Sequence, residues 1–450
     1  MTLADKAAPI ADWPAALQDA MASLPSAATC WIAFSGGLDS TVLLNLCVQW
    51  HRAHPHQWQS VRALHINHQL QPNAEIMAQH CQQACVDLDV TCVVEQVRVT
   101  PSPGEGVEAA ARKARYRVFR QHVQQGDLLL MAHHADDQAE TVLFRLLRGA
   151  GPRGLAGIPR QRAVGAGQLC RPLLGVNRDR LQTWAAATGL KWIDDPSNLS
   201  DHYDRNFLRL RVMPLLRQRW PSLTARLARS AGHCDESQQL ADQLARLHYQ
   251  QCATDAGQLQ VSALAALTWV AQKNLLRWWL AQAGFTPPAN QRLQEGLRGL
   301  MTAAEDRQPR LDGDGYSIVR YRGLLCIVSA SSVPLPEAPV RLQPNRPLAW
   351  PGGYLLLDWV GAGPPIEPAP PLMVMRREGG ERAQFHPGGP RKTLKHWLQD
   401  KGIPPWERDR LALVWQGENL VAIGGLWVAA GFQPTEKKGG WRLSWRRDFD

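Results

Sequence analysis

The chain has 450 residues, of which 45% are hydrophobic and 20% charged, and its formal net charge is +10. This length exceeds what one ordinary core supports, so two or three domains are expected, and the composition excludes an intrinsically disordered chain. No apolar run approaches the length of a membrane span, and the N-terminal segment MTLADKAAPIADW lacks the basic-then-apolar pattern of a signal peptide. We therefore expect a soluble, cytoplasmic protein without a membrane partner.

The positive charge is compatible with a polyanionic partner. Most of the basic residues are arginine, a residue well suited to phosphate recognition. An arginine-rich coding bias explains the same excess, so charge alone does not decide for nucleic acid.

The nine cysteines argue against a disulfide framework or a zinc knuckle, because their number is odd and no CxxC pair occurs. Cys81 and Cys85 lie one helical turn apart beside His80. This spacing predicts two buried thiols on a helix rather than a metal site.

In the first part of the chain, short apolar runs alternate with segments of helical periodicity. Strands are predicted at Cys30–Phe34, Val61–Ile66, Val90–Val99 and Asp127–Ala132, and helices at Thr41–Val48, Val107–Val123 and Ala135–Leu147. This alternation predicts an α/β fold with a parallel sheet, whose ligands bind at the carboxyl ends of the strands.

Further along, the pattern becomes mainly helical and then mixed. The sequence predicts a loop at Gly149–Pro159, helices at Arg178–Thr188, from Phe207, over Leu223–Leu267 and at Val270–Ala283, paired strands within Ser317–Val328, and a linker near Ser331–Pro347. We therefore predict a nucleotide-binding catalytic domain at residues 1–221, a helical middle domain at 222–335 and a small mixed α+β domain at 345–450, and we expect the last two to bind the polyanionic partner.

The strongest single motif is the hexapeptide Ser35-Gly36-Gly37-Leu38-Asp39-Ser40, which follows a strand and opens a helix. Glycines let backbone amides approach an oxyanion, and a helix N-terminus adds positive potential. Asp39 repels a bare phosphate but suits Mg²⁺ that bridges phosphates. A Walker A loop is excluded, because no lysine precedes the serine and the spacing differs.

This hexapeptide resembles the loop of the PP-loop ATP pyrophosphatases, which cleave ATP between the α- and β-phosphates. The alternative is a plain strand–turn–helix connection with an aspartate near the cap. The resemblance implies that all six residues, from Ser35 to Ser40, bind ATP.

Several further segments resemble, in order, those of the tRNA(Ile)-lysidine synthase family. They are His65-Ile66-Asn67-His68, Glu108–Arg112 with Arg115-Tyr116, His133–Thr141, Arg148-Gly149 with Gly154-Leu155, Arg171–Leu174, Asp195 and Asn198 before Arg205-Asn206, Arg376–Arg382, Leu394-Lys395, and Ile403–Trp406 with Arg408. The match runs from about Ser35 to Trp427, and about Leu223–Val340 matches only in its helical texture.

The resemblance implies a reaction. ATP adenylates the cytidine at the first anticodon position of a minor isoleucine tRNA, and free lysine then displaces AMP to leave lysidine, which pairs with A instead of G. The expected substrates are ATP, L-lysine and tRNA(Ile). The sequence does not decide whether the chain forms an oligomer.

Three carboxylates are candidates for the chemistry of adenylation, which requires charge on the transferring phosphate to be neutralised. They are Asp39, Asp136 and Asp137, of which Asp39 and Asp136 are the predicted metal ligands. Capping of a helix is the alternative for Asp136 and Asp137. Lysine attacks as a free amine, so a carboxylate takes its proton, and Asp137 and Glu140 are both plausible.

Other predicted site residues rest more heavily on the family match. Arg112 and Arg205 are predicted catalytic residues, and His65, Asn67, His133 and Arg209 are predicted substrate contacts. A surface salt bridge between Glu108 and Arg112 with a stacked Tyr116 is the alternative for Arg112.

Late in the chain, cations alternate with aromatic residues, a pattern that suits RNA. The predicted tRNA contacts are Arg376, Arg382, Lys395 and Trp406. A solvated basic face over core tryptophans is the alternative.

Three rival classes share some of these features. The tRNA thiolases use a similar loop but need reactive cysteines, often in CxxC pairs, and asparagine synthetase needs an N-terminal cysteine where this chain has Met1-Thr2. An RNA-binding protein with a relic loop is the non-enzymatic rival, and the three intact aspartates argue against it.

Overall fold

The computed structural model describes residues 10, 13–70, 73–101, 104, 106–194, 201, 203–304, 307, 309–330, 333–360, 368, 370–386, 388–429 and 440–446. The chain divides into two compact units, Met1–Ala241 and Asp242–Asp450. Asp195 and Asn198, which carried part of the family resemblance, lie outside the described residues. The predicted three-domain boundaries stay a prediction.

The first unit is built from helices packed on a central sheet. Its helices are α1 (Ala15–Ala22), α2 (Leu38–Ala53), α3 (Ala74–Leu88), α4 (Val107–His122), α5 (Ala135–Leu147), α6 (Pro152–Leu155), α7 (Arg178–Thr188), α8 (Asp204–Phe207) and α9 (Met213–Arg219), with a 3₁₀ turn at Pro172–Gly175 and a π-helical turn at Leu208–Val212. Helix α10 spans Leu223–Cys252.

The sheet of this unit has six strands in the order β3-β2-β1-β4-β6-β5. The strands are β1 (Ala27–Ala33), β2 (Trp58–Asn67), β3 (Thr91–Gln96), β4 (Leu128–Leu130), β5 (Gln161–Val164) and β6 (Gly167–Cys170). The first five in spatial order are parallel, which confirms the predicted parallel sheet. β5 is antiparallel to β6 and forms a hairpin that the sequence analysis did not predict.

Alternation along β1 places the sheet between two cores. Cys30 and Ile32 are fully buried among residues of α1, α2, α3 and α7, whereas Trp31 packs with α4 on the opposite face. Because successive strand side chains point to opposite faces, this one strand contributes to both cores. Cys81 and Cys85 are fully buried on α3, which confirms the predicted pair of helical thiols.

In the second unit, described by itself, short helices accompany antiparallel sheets. Its elements are α11 (Val261–Ala265), α12 (Trp269–Gln282), α13 (Asn290–Thr302), α14 (Leu394–Asp400), α15 (Pro405–Arg408), β7 (Leu259–Gln260), β8 (Arg310–Asp312), β9 (Tyr316–Tyr321), β10 (Leu324–Ser329), β11 (Val340–Arg341), β12 (Leu348–Trp350), β13 (Gly353–Val360), β14 (Leu372–Met375), β15 (Arg382–Ala383), β16 (Lys392–Thr393), β17 (Leu413–Gln416), β18 (Asn419–Ile423), β19 (Trp427–Val428) and β20 (Gly440–Arg446). The sheet orders are β7-β10-β9-β8, β11-β14-β17-β18-β19, β12-β13-β20 and β15-β16.

Three sequence predictions about elements need adjustment. The helix predicted through Leu267 is interrupted after Cys252 by β7. The predicted loop at Gly149–Pro159 contains the one-turn helix α6. The predicted linker at Ser331–Pro347 is not wholly open chain, because β11 within it pairs with β14. The paired strands predicted near Ser317–Val328 are β9 and β10.

Candidate functional site

The turn from β1 into α2 is closed by the two serines of the hexapeptide. The hydroxyls of Ser35 and Ser40 lie 3.0 Å apart, and Ser40 Oγ accepts the Ser35 backbone N–H at 3.2 Å and donates to the Gly37 carbonyl at 3.0 Å. Gly36 has a φ of +80°, a conformation that favours glycine. Gly37 caps α2 without a side-chain hydrogen bond, so the first amides of this helix are available to an anion.

Helix α3 forms the wall behind this turn. A Cβ at Gly36 would lie 2.8 Å from Cys81 Sγ, closer than real Cβ contacts. The same sulfur lies 3.3 Å from His65 Nδ1, which is 2.9 Å from the Phe34 carbonyl oxygen. Burial lowers the pKa of His65, while the Phe34 carbonyl raises it, and the net direction is down. His65, a predicted substrate contact, therefore also links β2, the turn and α3.

Helix α5 begins with a capping box. The His134 ring accepts the Asp137 backbone N–H at 3.4 Å, and Asp137 Oδ2 accepts the His134 backbone N–H at 3.1 Å. His134 Nε2 also lies 3.6 Å from Asp39 Oδ2. Burial lowers the pKa of His134, but its hydrogen bond to Asp39 and the nearby carboxylates raise it, and the net direction is up. His134 thus joins the start of α5 to the turn.

Two carboxylates of α5 face two arginines. Arg209 binds Glu140 through two hydrogen bonds of 2.8 Å each, and its Nη2 lies 3.1 Å from Asp137 Oδ1. Arg205 lies 3.5 Å from Asp137 Oδ1 and 3.7 Å from Glu140 Oε2. The two negative and two positive charges balance, so this cluster compensates for its own burial.

Protonation in this cluster follows from its neighbours. Burial raises the pKa of Asp137, but His134, His133 and the arginines lower it, and the net direction is down. Burial lowers the pKa of Arg209, but Glu140 and then Asp137 raise it, and the net direction is up. At neutral pH the carboxyl and the guanidinium are both charged.

Asp136 is held by protein donors through both oxygens. Its Oδ2 accepts the Arg178 backbone N–H at 2.8 Å, and its Oδ1 accepts from the Arg217 guanidinium and from the Thr224 hydroxyl at 3.5 Å. Its side chain is 12% exposed. Asp136 therefore ties the start of α5 to α7, α9 and α10.

Asp39 has a different environment. Its side chain is one third exposed, and its Oδ1 is shielded from solvent without a hydrogen-bond partner in the described part of the chain. The Arg178 Nε lies 4.0 Å from this oxygen. A shielded carboxylate oxygen without a donor is a candidate ligand for a cation. Within the described ranges, no group of three or more His, Cys, Asp or Glu residues could hold a metal ion by itself.

His133 is neutral because of where it lies. The Arg171 Nε donates to His133 Nδ1 at 3.2 Å, and Arg171 Nη1 donates to the Pro159 carbonyl at 2.7 Å. Burial, together with Arg171 and Arg205, lowers the pKa of His133 to about 4, although Asp137 opposes the shift. The uncharged imidazole can therefore accept a hydrogen bond from Arg171 at neutral pH.

A pocket of about 580 Å³ opens at the carboxyl ends of β1, β2 and β4. Among the predicted residues, those that line it are Ser35, Gly37, Leu38, Asp39, Ser40, His65, Asn67, His133, Asp137, Arg205 and Arg209. The pocket lining does not include four other predicted residues of this unit, namely Gly36, Arg112, Asp136 and Glu140. Asn67 Oδ1 accepts the Gln69 backbone N–H at 2.9 Å, and Asn67 Nδ2 donates to the Ala74 carbonyl at 3.5 Å.

Arg112 lies over an aromatic ring instead. Its guanidinium carbon is 4.9 Å from the centre of the Tyr116 ring, and that of Arg162 is 4.3 Å from the same ring. Tyr116 is buried. The stacking of Arg112 on Tyr116, which belonged to the alternative interpretation, is therefore present, and a catalytic role for Arg112 stays a prediction.

In the second unit, the three predicted basic contacts are on the surface. Arg376, Arg382 and Lys395 are exposed. Arg382 donates to the Arg391 carbonyl at 3.5 Å and borders an open concavity of about 550 Å³, which is also lined by Arg391, Trp415, Glu381 and Glu418. These side chains are available to a polyanion.

The aromatic residues near these cations in the sequence pack against other side chains of the second unit. Trp397 is buried and stacks on Phe385 with ring centres 4.4 Å apart. Trp406 is half-buried and meets Tyr321 edge to face at 5.6 Å. The nearby Arg408 is buried. The alternative of core tryptophans thus describes Trp397, and the predicted tRNA contact of Trp406 stays a prediction.

Two participants were missed in the sequence. Arg178 lines the pocket, and Arg217 holds Asp136. Arg217 follows Asp136 by 81 residues, and a pair that distant carries no local sequence signal. Arg178 sits at the first position of a correctly predicted helix that follows the matched segment Arg171–Leu174, and this position was the available clue.

The parallel sheet, the glycine turn at the N-terminus of α2 and the pocket at the strand ends define an ATP-using protein of the PP-loop class. Residues 14–216 match the family described as PP-loop domain, residues 259–326 the TilS substrate binding domain, and residues 372–445 the TilS substrate C-terminal domain.

Relatives over nearly the full length narrow this class. The chain is 44% identical to a tRNA(Ile)-lysidine synthase of Alkalilimnicola ehrlichii over 93% of this chain and 94% of that protein. It is 38% identical to one of Coxiella burnetii and 40% identical to one of Pseudomonas syringae, each over 96% of both chains. The chain belongs to the tRNA(Ile)-lysidine synthase family.

No helix in the described ranges combines the length and the apolar composition that crossing a membrane requires.

Proposed function

We propose that this protein joins free L-lysine to C2 of the first anticodon cytidine of a tRNA(Ile) with a CAU anticodon, at the expense of ATP. The cytidine O2 attacks the α-phosphate, and pyrophosphate leaves. The ε-amine of lysine then attacks C2, and AMP leaves with the oxygen. The product is lysidine, and decoding changes from AUG to AUA. The observation that carries this proposal is the open amide turn at Ser35–Ser40, which faces the same pocket as Asp137 and Arg205.

The turn supports the adenylation step. The free amides of α2 offer hydrogen bonds to phosphate oxygens, the linked serine hydroxyls hold the turn in shape, and the helix N-terminus favours the negative charge of the phosphate. Such donors, fixed before the reaction, stabilise charge that develops in the transition state. All six predicted ATP-binding residues belong to this turn, and Gly36 contributes by its conformation.

Mg²⁺ is part of the proposal, with Asp39 as its protein ligand. The shielded Oδ1 of Asp39, without a donor among the described residues, fits a cation. Asp136 fits less well, because both of its oxygens already accept hydrogen bonds from protein groups. One or two carboxylates together with substrate phosphates are the usual ligands of Mg²⁺, which neutralises phosphate charge when bound.

Asp137 is better placed than Glu140 to receive lysine. Glu140 is 3% exposed and committed to Arg209 through both oxygens, whereas Asp137 lines the pocket. The lowered pKa of Asp137 keeps it ionised, so it can bind the ε-ammonium and accept one proton from it, which leaves the free amine to attack C2.

The exposed cations of the second unit bind the tRNA backbone in this proposal. Arg376, Arg382 and Lys395 are exposed and supply positive charge. In this proposal they bind tRNA and take no part in the chemical steps. Phosphate contacts of this kind position a nucleic acid and weaken as salt rises. We place the protein in the cytoplasm, where its substrates occur.

A direct assay tests the proposal. The purified protein is incubated with radiolabelled lysine, ATP and bulk tRNA, and both tRNA-bound label and pyrophosphate are measured. We expect label in tRNA only when ATP is present, and pyrophosphate in equal amount. tRNA binding with no pyrophosphate release would instead identify an RNA-binding protein with a relic loop.

A further inference from the structure

The backbone of Arg178 is fixed against the start of α5 from two sides. Its N–H donates to Asp136 Oδ2 at 2.8 Å, and the Val176 carbonyl accepts the Ala135 N–H at 2.9 Å. Asp136 is itself held by Arg217. The first residue of α7 therefore has a defined position at the strand ends, independent of its own side chain.

The side chain of Arg178 extends from this fixed point to the pocket. It lines the pocket, is 44% exposed, and has its Nε 4.0 Å from Asp39 Oδ1. Asp39 belongs to the first turn of α2, next to the open amides. The guanidinium thus lies beside the Ser35–Ser40 turn, at the N-terminal end of α2, where an anion would bind.

The arginines of the pocket differ in how far their charge is already neutralised. Arg205 and Arg209 are paired with Asp137 and Glu140. In the described part of the chain, the carboxylate nearest the Arg178 guanidinium is Asp39, at the outer limit of an ion pair. Two Nη groups remain for a fork of hydrogen bonds, the geometry in which guanidinium binds phosphate.

We propose that Arg178 binds the β- and γ-phosphates of ATP, the part that leaves as pyrophosphate. Asp39 by itself repels a polyphosphate, and the adjacent guanidinium offsets that repulsion. Asp136 is a positioning residue in this arrangement, because it fixes the backbone of Arg178. The proposal rests on the function proposed above only in naming ATP as the ligand.

Equilibrium binding tests the proposal without any turnover. α,β-Methylene-ATP, which resists cleavage between the α- and β-phosphates, and AMP are titrated by calorimetry into the wild-type protein, Arg178→Ala and Arg180→Ala. Arg180 is an exposed arginine of the same helix that does not line the pocket, so it is the matched control. Loss of a charge-assisted fork predicts a Kd for the ATP analogue about tenfold higher in Arg178→Ala. The Kd for AMP, and both constants of Arg180→Ala, should equal the wild-type values.

Two results would overturn the assignment. An unchanged Kd of Arg178→Ala for the analogue removes the phosphate contact. An equal weakening of AMP places the effect at the α-phosphate or in the fold, and thermal melting beside Arg180→Ala separates these two. Failure of the proposed function is distinguishable, because a protein that binds the analogue through Arg178 but transfers no lysine keeps this contact and loses only the reaction.

Discussion

The ion pair between Glu140 and Arg209 makes a quantitative prediction about stability. Glu140→Gln keeps the shape of the side chain but removes its charge and one of the two 2.8 Å hydrogen-bond acceptors. Breaking a fully buried pair costs about 3–5 kcal/mol. The Glu140 side chain is 4% exposed but that of Arg209 is 30% exposed, and Arg209 keeps Asp137 at 3.1 Å. We therefore expect a loss of about 2 kcal/mol in the free energy of unfolding of the first unit.

Urea denaturation of a double-mutant cycle measures this loss. The proteins are the wild type, Glu140→Gln, Arg209→Gln and the double variant, and the coupling energy should be about 2 kcal/mol. Arg211→Gln is the control, because its 3.0 Å pair with Asp201 is solvent-exposed on both sides. Exposed pairs contribute about 0.2–1 kcal/mol.

Additive effects of Glu140→Gln and Arg209→Gln would refute the reasoning. So would a loss no larger than that of Arg211→Gln, since the Glu140–Arg209 pair is buried and joined through both carboxylate oxygens, whereas the Arg211–Asp201 pair is solvent-exposed.

Three further predictions concern the chemistry, the pH dependence and the RNA contacts. Asp39→Asn should abolish pyrophosphate release while thermal melting stays near the wild-type value, because Asp39 lies in a partly exposed turn; retained release with tRNA would remove its metal role. His133 has a pKa of about 4 in the folded state against about 6.5 unfolded, so its contribution to stability is present above pH 6.5 and lost as pH falls towards 4. His133→Asn should reduce the acid-side loss by up to about 3 kcal/mol in urea titrations from pH 7 to 4, and identical pH profiles would contradict the assigned burial. Lys395→Ala and Arg382→Ala should raise KM for tRNA at low salt with kcat much less changed, and less so at high salt; a strong fall in kcat at saturating tRNA would mean that these residues position the anticodon instead.

Local sequence signals predicted the first and last residues of some elements correctly. The bounds of α5 agree with the prediction because acidic residues in its first turn and Arg145 in its last complement the helix dipole. Helix α7 ends as predicted at Thr188, where Gly189 takes the left-handed conformation with φ +67°. The hairpin of β5 and β6 was missed, because four-residue strands carry too little alternation to be recognised.

The sequence predicted the location of the site, because the parallel sheet determines where the ends of its strands meet. Parallel strands bring their carboxyl ends to one edge, so residues at or beyond the ends of β1, β2 and β4 meet in one pocket, as expected for Asp39, His65 and His133. Partnerships across long stretches of chain were not predictable. Whether Asp136 binds a cation or an arginine depends on Arg217, which only the folded chain brings near.

Because Gly36 and Cys81 are in close contact, the accessibility of the Cys81 thiol also reports local separation of the turn from α3. Cys81 is fully buried, and burial raises its pKa, so the thiol is protonated and unreactive while the turn and α3 stay together. An alkylating reagent reaches this sulfur only when the turn and α3 separate. The rate of labelling at Cys81 therefore measures how often that separation occurs. A nucleotide bound to the turn should lower the rate of Cys81 labelling, even when no reaction follows.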